Sequence, residues 1–132
     1  MKFDLDTADA RLLAISSSIG PSPTLKLRTG TQPSACSDAD SGVVIASITL
    51  PAIWLEINTQ GTIEKVGSWV AESAVADGRI GHYRLYDSLG ACRIQGSASG
   101  IGLGGDMEID NPDVLTGQQV TVSTFSITES NV

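Results

Sequence analysis

Residues 81–129 read GHYRLYDSLGACRIQGSASGIGLGGDMEIDNPDVLTGQQVTVSTFSITE, and the period of this stretch decides the fold class. Tyr83 and Leu85 alternate with Arg84 and Tyr86, and Cys92 and Ile94 resume the alternation after Asp87-Ser88-Leu89-Gly90. A period of two belongs to strands, and a short loop ending in glycine between two such runs makes a hairpin. A four-residue loop pairs Tyr86 with Ala91 and sets Tyr83, Leu85, Cys92 and Ile94 on one apolar face. In that register Arg84 faces Arg93, and like charges across a ladder repel. In Asp106-Met107-Glu108-Ile109-Asp110 the three carboxylates share the face opposite Met107 and Ile109. This acidic face is expected near the two arginines, in the same sheet or across a subunit boundary. In the last run Val120 and Val122 have one parity, and Phe125 and Ile127 the other. Either a bulge near Ser123-Thr124 restores a single inward face, or both faces are partly covered, as at a sandwich corner or a protomer contact.

Working outward, Leu25 and Leu27 alternate with Lys26 and Arg28, a half-buried strand with an ordinary solvated polar face. Residues 29–42, TGTQPSACSDADSG, are small and polar and read as a long surface loop. VVIASITL at 43–50 lacks clean alternation, which suits a central strand covered on both faces, and Pro51 closes it. Residues 52–75 hold a turn at Thr59-Gln60-Gly61 and a break at Gly67, giving two short strands or a broken hairpin. Trp54 and Trp69 are core residues by default, although Trp is also enriched at interface hot spots. Near the N-terminus, Leu12, Leu13 and Ile15 with a cap at Asp6 or Thr7 predict a helix over about residues 7–18, stopped by Gly20-Pro21. Its expected role is to cover an open end or face of the sheet, or to dock on another subunit. The whole is read as one domain, residues 1–132, with a helical arm at 1–22 and an all-β sandwich or jelly-roll-like body at 23–132.

The chain has 132 residues, a formal charge of −7 and 41% apolar residues, with aromatics at only 5%. Acidity of this order argues against general binding to nucleic acid or to anionic membranes. The first 18 residues carry Lys2 and then Asp4, Asp6 and Asp9 without a long apolar run, which is not a secretory signal, so the protein is expected to stay soluble in the cytoplasm until it meets a partner. Cys36 and Cys92 are read as independent thiols, with one long-range disulfide left open.

No constellation points to catalysis. His82 is the only histidine and stands in a strand without a nucleophile elbow, so it reads as a partly exposed strand residue. The carboxylates lack the twelve-residue calcium loop and show no paired acid and base. The glycines of GIGLGG at 100–105 precede a strand and not a helix, so they read as a flexible connection and not as a phosphate cradle. No cofactor, metal or catalytic residue is expected.

The RTGTQP turn at 28–33, the GHYRLYDSLG hairpin at 81–90, IQGSAS at 94–99 and LTGQQVTVSTFSIT at 115–128 resemble small structural proteins of tailed-bacteriophage virions. The resemblance runs over most of the chain and rests on the order of strands and turns. It implies a non-enzymatic β-sandwich component of the capsid surface, a cement or decoration protein that binds the major capsid protein and self-associates as a dimer or trimer. The family has no motif of functional residues to carry over, and the acidic strand at 106–110 and the glycine-rich 100–105 depart from its pattern. Candidate interface residues are Trp54, Trp69, Arg84, Arg93, Asp106, Glu108 and Asp110. The alternatives are a tail or head-tail structural protein, or a carbohydrate-binding or adhesin module.

Overall fold

The computed structural model describes residues 1–132 as one helix and ten strands. The helix is α1 (Leu5–Ile19) and the first four strands are β1 (Thr24–Thr29), β2 (Val44–Thr49), β3 (Leu55–Thr59) and β4 (Thr62–Lys65). They are followed by β5 (Val70–Ala71), β6 (Gly78–Tyr86), β7 (Cys92–Gly100), β8 (Met107–Ile109), β9 (Asp113–Val114) and β10 (Val120–Thr128). The main path through the sheet is β2-β1-β6-β7-β8-β10-β4-β3, with β5 attached to β10 and β9 to β6. The fold is therefore all-β with one short N-terminal helix.

Chain connectivity forces this sheet to curl. Its two end strands, β2 and β3, are joined only by residues 50–54. Five linking residues span at most about 20 Å, whereas eight flat strands would separate the ends by about 34 Å. The curl encloses the core, and four of its rings form a chain through it. Trp54 lies 6.4 Å from Trp69, Trp69 5.7 Å from Phe125, and Phe125 5.6 Å edge-on from Tyr83. Around them pack Leu25, Leu27, Ile45, Ile63, Leu85, Met107 and Ile109, all buried. Both Trp N–H groups are satisfied by backbone oxygens, of Gly20 and of Val66.

Helix α1 begins earlier than its apolar stripe suggests. Asp4, not Asp6 or Thr7, caps it, accepting the Thr7 N–H at 2.9 Å, and Gly20 ends it with φ 93° and an N–H to the Ser16 carbonyl. The helix covers the β3–β4 end of the sheet: the Asp9 carboxylate accepts the Gly61 N–H in the β3–β4 turn, and Arg11 pairs with Glu129 at 3.1 Å. The turn at residues 59–61 does join two short strands, as a hairpin.

Strand β2 is an end strand and not a central one. Ser47 and Thr49 are exposed, and a single bond from the Val75 N–H to the Ile45 carbonyl covers part of its outer side. The β6–β7 hairpin also differs in register, and Asp87 is the reason. Its carboxylate accepts the Leu89 and Ala91 N–H groups while its own N–H bonds the Ala91 carbonyl, so the loop spans 87–91 and Tyr86 pairs with Cys92. An irregularity at Arg93 then lets Leu85 pair with Ile94 and Arg84 with Gln95. The expected Arg84–Arg93 opposition disappears, and Cys92 moves to the face of Arg84. The bulge in β10 forms where parity requires it: Val122 pairs with Ile109 and Thr124 with Glu108, leaving Ser123 between and turning Val120, Val122 and Phe125 inward.

Strands β7 and β8 run parallel although only residues 101–106 connect them. Parallel neighbours ordinarily need a dozen or more linking residues, and glycine makes the short return possible. A side chain at Gly105 would sit 2.6 Å from the Ser99 Oγ, which accepts the Gly105 N–H. The Gly102 N–H in turn donates to the Glu108 carboxylate at 2.8 Å, so this connection is pinned rather than loose.

Candidate functional site

The outer, polar face of β1, β6 and β7 carries the most unusual chemistry of the molecule. Alternation along β1 sends Leu25 and Leu27 to the core and Arg28 outward. Along β6 it sends Tyr83 and Leu85 inward and His82, Arg84 and Tyr86 outward. Such a face ordinarily meets solvent. Here residues 30–43 fold back over it, and Arg28, His82, Arg84 and Tyr86 are all buried.

Asp40 organises the cover. Its carboxylate accepts from Arg84 Nη1 at 2.5 Å, from Tyr86 Oη at 2.6 Å and from Arg28 Nη2 at 3.0 Å. Arg84, only 1% exposed, also donates to the carbonyls of Cys36 at 2.7 Å and Asp38 at 3.2 Å. Gln95 holds the Pro33 carbonyl at 2.6 Å, and the His82 ring lies 2.9 Å from the Gly30 carbonyl through Nδ1. Gly81 is glycine because the loop backbone crosses there, with the Gly30 oxygen 2.4 Å from where a Cβ would stand. Two guanidinium groups thus share one carboxylate. Four polar atoms in the cluster, Arg28 Nε, Arg84 Nε, His82 Nε2 and Gln95 Oε1, are buried without a partner.

The electrostatics follow from these contacts. The Tyr86 hydroxyl foremost, with Arg84 and Arg28, holds the Asp40 carboxyl below the ordinary 3.8 against the opposing effect of desolvation. Desolvation is the largest single effect on Arg84 and acts against its charge, but the Asp40 hydrogen bond and the neighbouring acidic groups together outweigh it and the guanidinium stays charged. Burial pushes the Tyr83 phenol well above its usual range, and the nearby Asp106 carboxylate adds to the effect. The arrangement fastens the loop at 30–43 to the sheet.

The sequence-derived candidates separate into two groups. Trp54, Trp69 and Arg84 lie inside the fold, each no more than 1% exposed. Arg28 and His82 are buried as well, correcting the solvated and partly exposed roles expected of them. Arg93 is at the surface, paired with Asp87 at 3.1 Å and donating to Ser18 Oγ. Asp106, Glu108 and Asp110 do not meet the arginines. They accept from Ser97 N–H, from Gly102 N–H and Thr124 Oγ1, and from Thr121 N–H respectively. Cys36 and Cys92, read as independent thiols, lie 3.2 Å apart at the edge of the cluster.

The residue that sequence reading missed is Asp40. It stands 44 positions from Arg84 in a loop with no period, and no signal in the sequence singles it out. Comparison of the chain with protein-family models, with curated proteins and with solved structures finds no match.

Proposed function

We propose that this chain is a non-enzymatic structural protein of a tailed-bacteriophage virion, and within the virion a capsid cement or decoration protein that binds the major capsid protein and self-associates as a dimer or trimer. The observation that carries the reading is how the molecule divides its apolar residues. Five of its six aromatic side chains are buried, and Phe3, half-buried, lies under the Arg11 guanidinium. What stands out instead is aliphatic and dispersed over separate loops: Ile53, Leu89, Ile101, Leu103 and Leu115. A rigid core with aliphatic contacts on several sides suits bridging between neighbouring subunits, where many modest contacts hold a lattice against pressure. The same division removes the exposed aromatic platform on which a carbohydrate-binding module would stack sugars.

The test is the copy number in purified heads and purified tails of the phage that encodes the chain. Hundreds of copies on heads are expected, and a handful confined to tails would replace this reading with the tail or head-tail one. Ile53→Ser and Leu89→Ser are surface changes expected to leave the fold intact. If these loops touch the shell, one or both weaken rebinding to heads stripped of the protein by roughly tenfold or more.

A further inference from the structure

We infer that Cys36 and Cys92 are a modification site, at which a two-electron oxidant such as hydrogen peroxide closes a disulfide between the covering loop and the sheet. The sulfur atoms are 3.2 Å apart and both residues are partly exposed, so a small oxidant can reach them. The two backbones are held independently. The Cys36 carbonyl is gripped by Arg84 at 2.7 Å, and Cys92 is paired with Tyr86 in the β6–β7 ladder. Bond formation requires the two sulfurs to close by about 1.2 Å.

The chemistry balances in two steps. One thiolate displaces hydroxide from hydrogen peroxide and becomes a sulfenic acid, with water as the product once the hydroxide takes up the thiol proton. The second thiol then attacks that sulfur, forming the S–S bond and releasing a second water. Overall two thiols lose two electrons and two protons, and one peroxide becomes two waters. Burial, with the Cys36 hydrogen bond, keeps the Cys92 thiol up at about 11. The Cys92 thiol is therefore mostly uncharged at neutral pH.

The consequence is a covalent staple across 56 positions, beside the partly exposed Asp40–Arg84 contact. The inference does not depend on the virion reading. If that reading holds, the thiols stay reduced in the cytoplasm and the staple closes once the particle leaves it.

The experiment treats the purified full chain with hydrogen peroxide and measures intact mass, thiols alkylatable after denaturation, and thermal unfolding. Expected are a mass lower by two hydrogen atoms, no alkylatable thiol, a Cys36–Cys92 peptide after non-reducing digestion, and a rise in Tm on the order of 10 °C that dithiothreitol reverses. Cys92→Ser and Cys36→Ser should fold and lack the rise. Should either variant fail to fold, the wild-type mass and peptide map decide alone. Two thiols still alkylatable after prolonged oxidation, stepwise gain of oxygen on separate cysteines, or linkage between labelled and unlabelled chains in a mixture would each overturn the inference.

Discussion

Asp40→Ala tests whether the loop at 30–43 is held by its shared carboxylate. The substitution removes the acceptor of Arg84, Arg28 and Tyr86 together. Deleting one member of a fully buried ion pair costs about 3–5 kcal/mol, because the remaining charge keeps no counter-ion. Two features of this site reduce that figure. The Asp40 side chain is 42% exposed, so water already screens the pair, and Arg84 keeps the Cys36 and Asp38 carbonyls. Opposing them, the guanidinium of Arg84 is 1% exposed and cannot follow the lost charge into solvent. The balance is a loss of about 2–3 kcal/mol. Urea unfolding monitored by Trp fluorescence should show a midpoint lower by about 1.5 M at unchanged slope. Asp113→Ala is the control: its pair with Arg79 is exposed at 68% and 60%, and should lose no more than about 1 kcal/mol. Limited proteolysis should cut Asp40→Ala, and not Asp113→Ala, within residues 30–43. Equal losses in the two variants would refute the reasoning and reduce the cluster to a surface ion pair.

Gly96→Ala should destabilise by about 1–3 kcal/mol in the same urea assay, since a Cβ there would lie 2.7 Å from the Asp106 carboxylate and 2.8 Å from the Tyr83 ring. Phe125→Ala, which removes the middle of the ring chain, should cost about 3–5 kcal/mol, and a loss under 1 kcal/mol would mean the rings are not packed as described. Stability should be steady above about pH 4 and fall below it. A carboxyl depressed in the folded state binds protons more readily when unfolded, so its contribution is present above the unfolded pKa and vanishes as pH falls through the folded one. Asp40 is such a group, as are Asp77, held by the Thr116 N–H, and Asp87, held by the Ala91 N–H. Asp40→Asn should therefore flatten part of the acid transition and leave the rest, and an unchanged acid midpoint in calorimetry would count against the Asp40 contribution.

Local parity was enough to place β6, β7, β8 and β10, and it offered the bulge near Ser123-Thr124 as one of two ways to reconcile the change of parity along β10. Hairpin register was harder. Asp87 lengthens the loop through side-chain bonds to Leu89 and Ala91, and a one-residue difference there transfers Cys92 to the other face. Strand β2 was misread for a related reason. A mixed apolar run says nothing of whether a strand has neighbours along both edges, and here only the Val75 N–H, bonded to the Ile45 carbonyl, meets the outer edge.

The polar cluster was illegible for a reason that bears on its purpose. Alternation correctly separated His82, Arg84 and Tyr86 from the core face, and nothing local shows that a loop 44 residues away supplies Asp40. Buried ion pairs add little to stability beyond what apolar residues of equal volume would give, and four orphaned atoms make this one costlier still. Its return is better sought in register. Were β6 to slip by two residues against β1, Tyr83 and Leu85 would still point inward, but Tyr86 or His82 would stand where Arg84 meets Asp40 and the arginine would be buried without a counter-charge. An apolar face alone does not distinguish those registers, whereas one carboxylate shared by three donors does. Arg84→Met, unbranched, smaller and uncharged, separates the two roles. If the cluster specifies register, the variant keeps most of its stability against urea but gives several sets of amide resonances where the wild type is expected to give one. A variant that stays uniquely folded would assign the cluster to holding the loop alone.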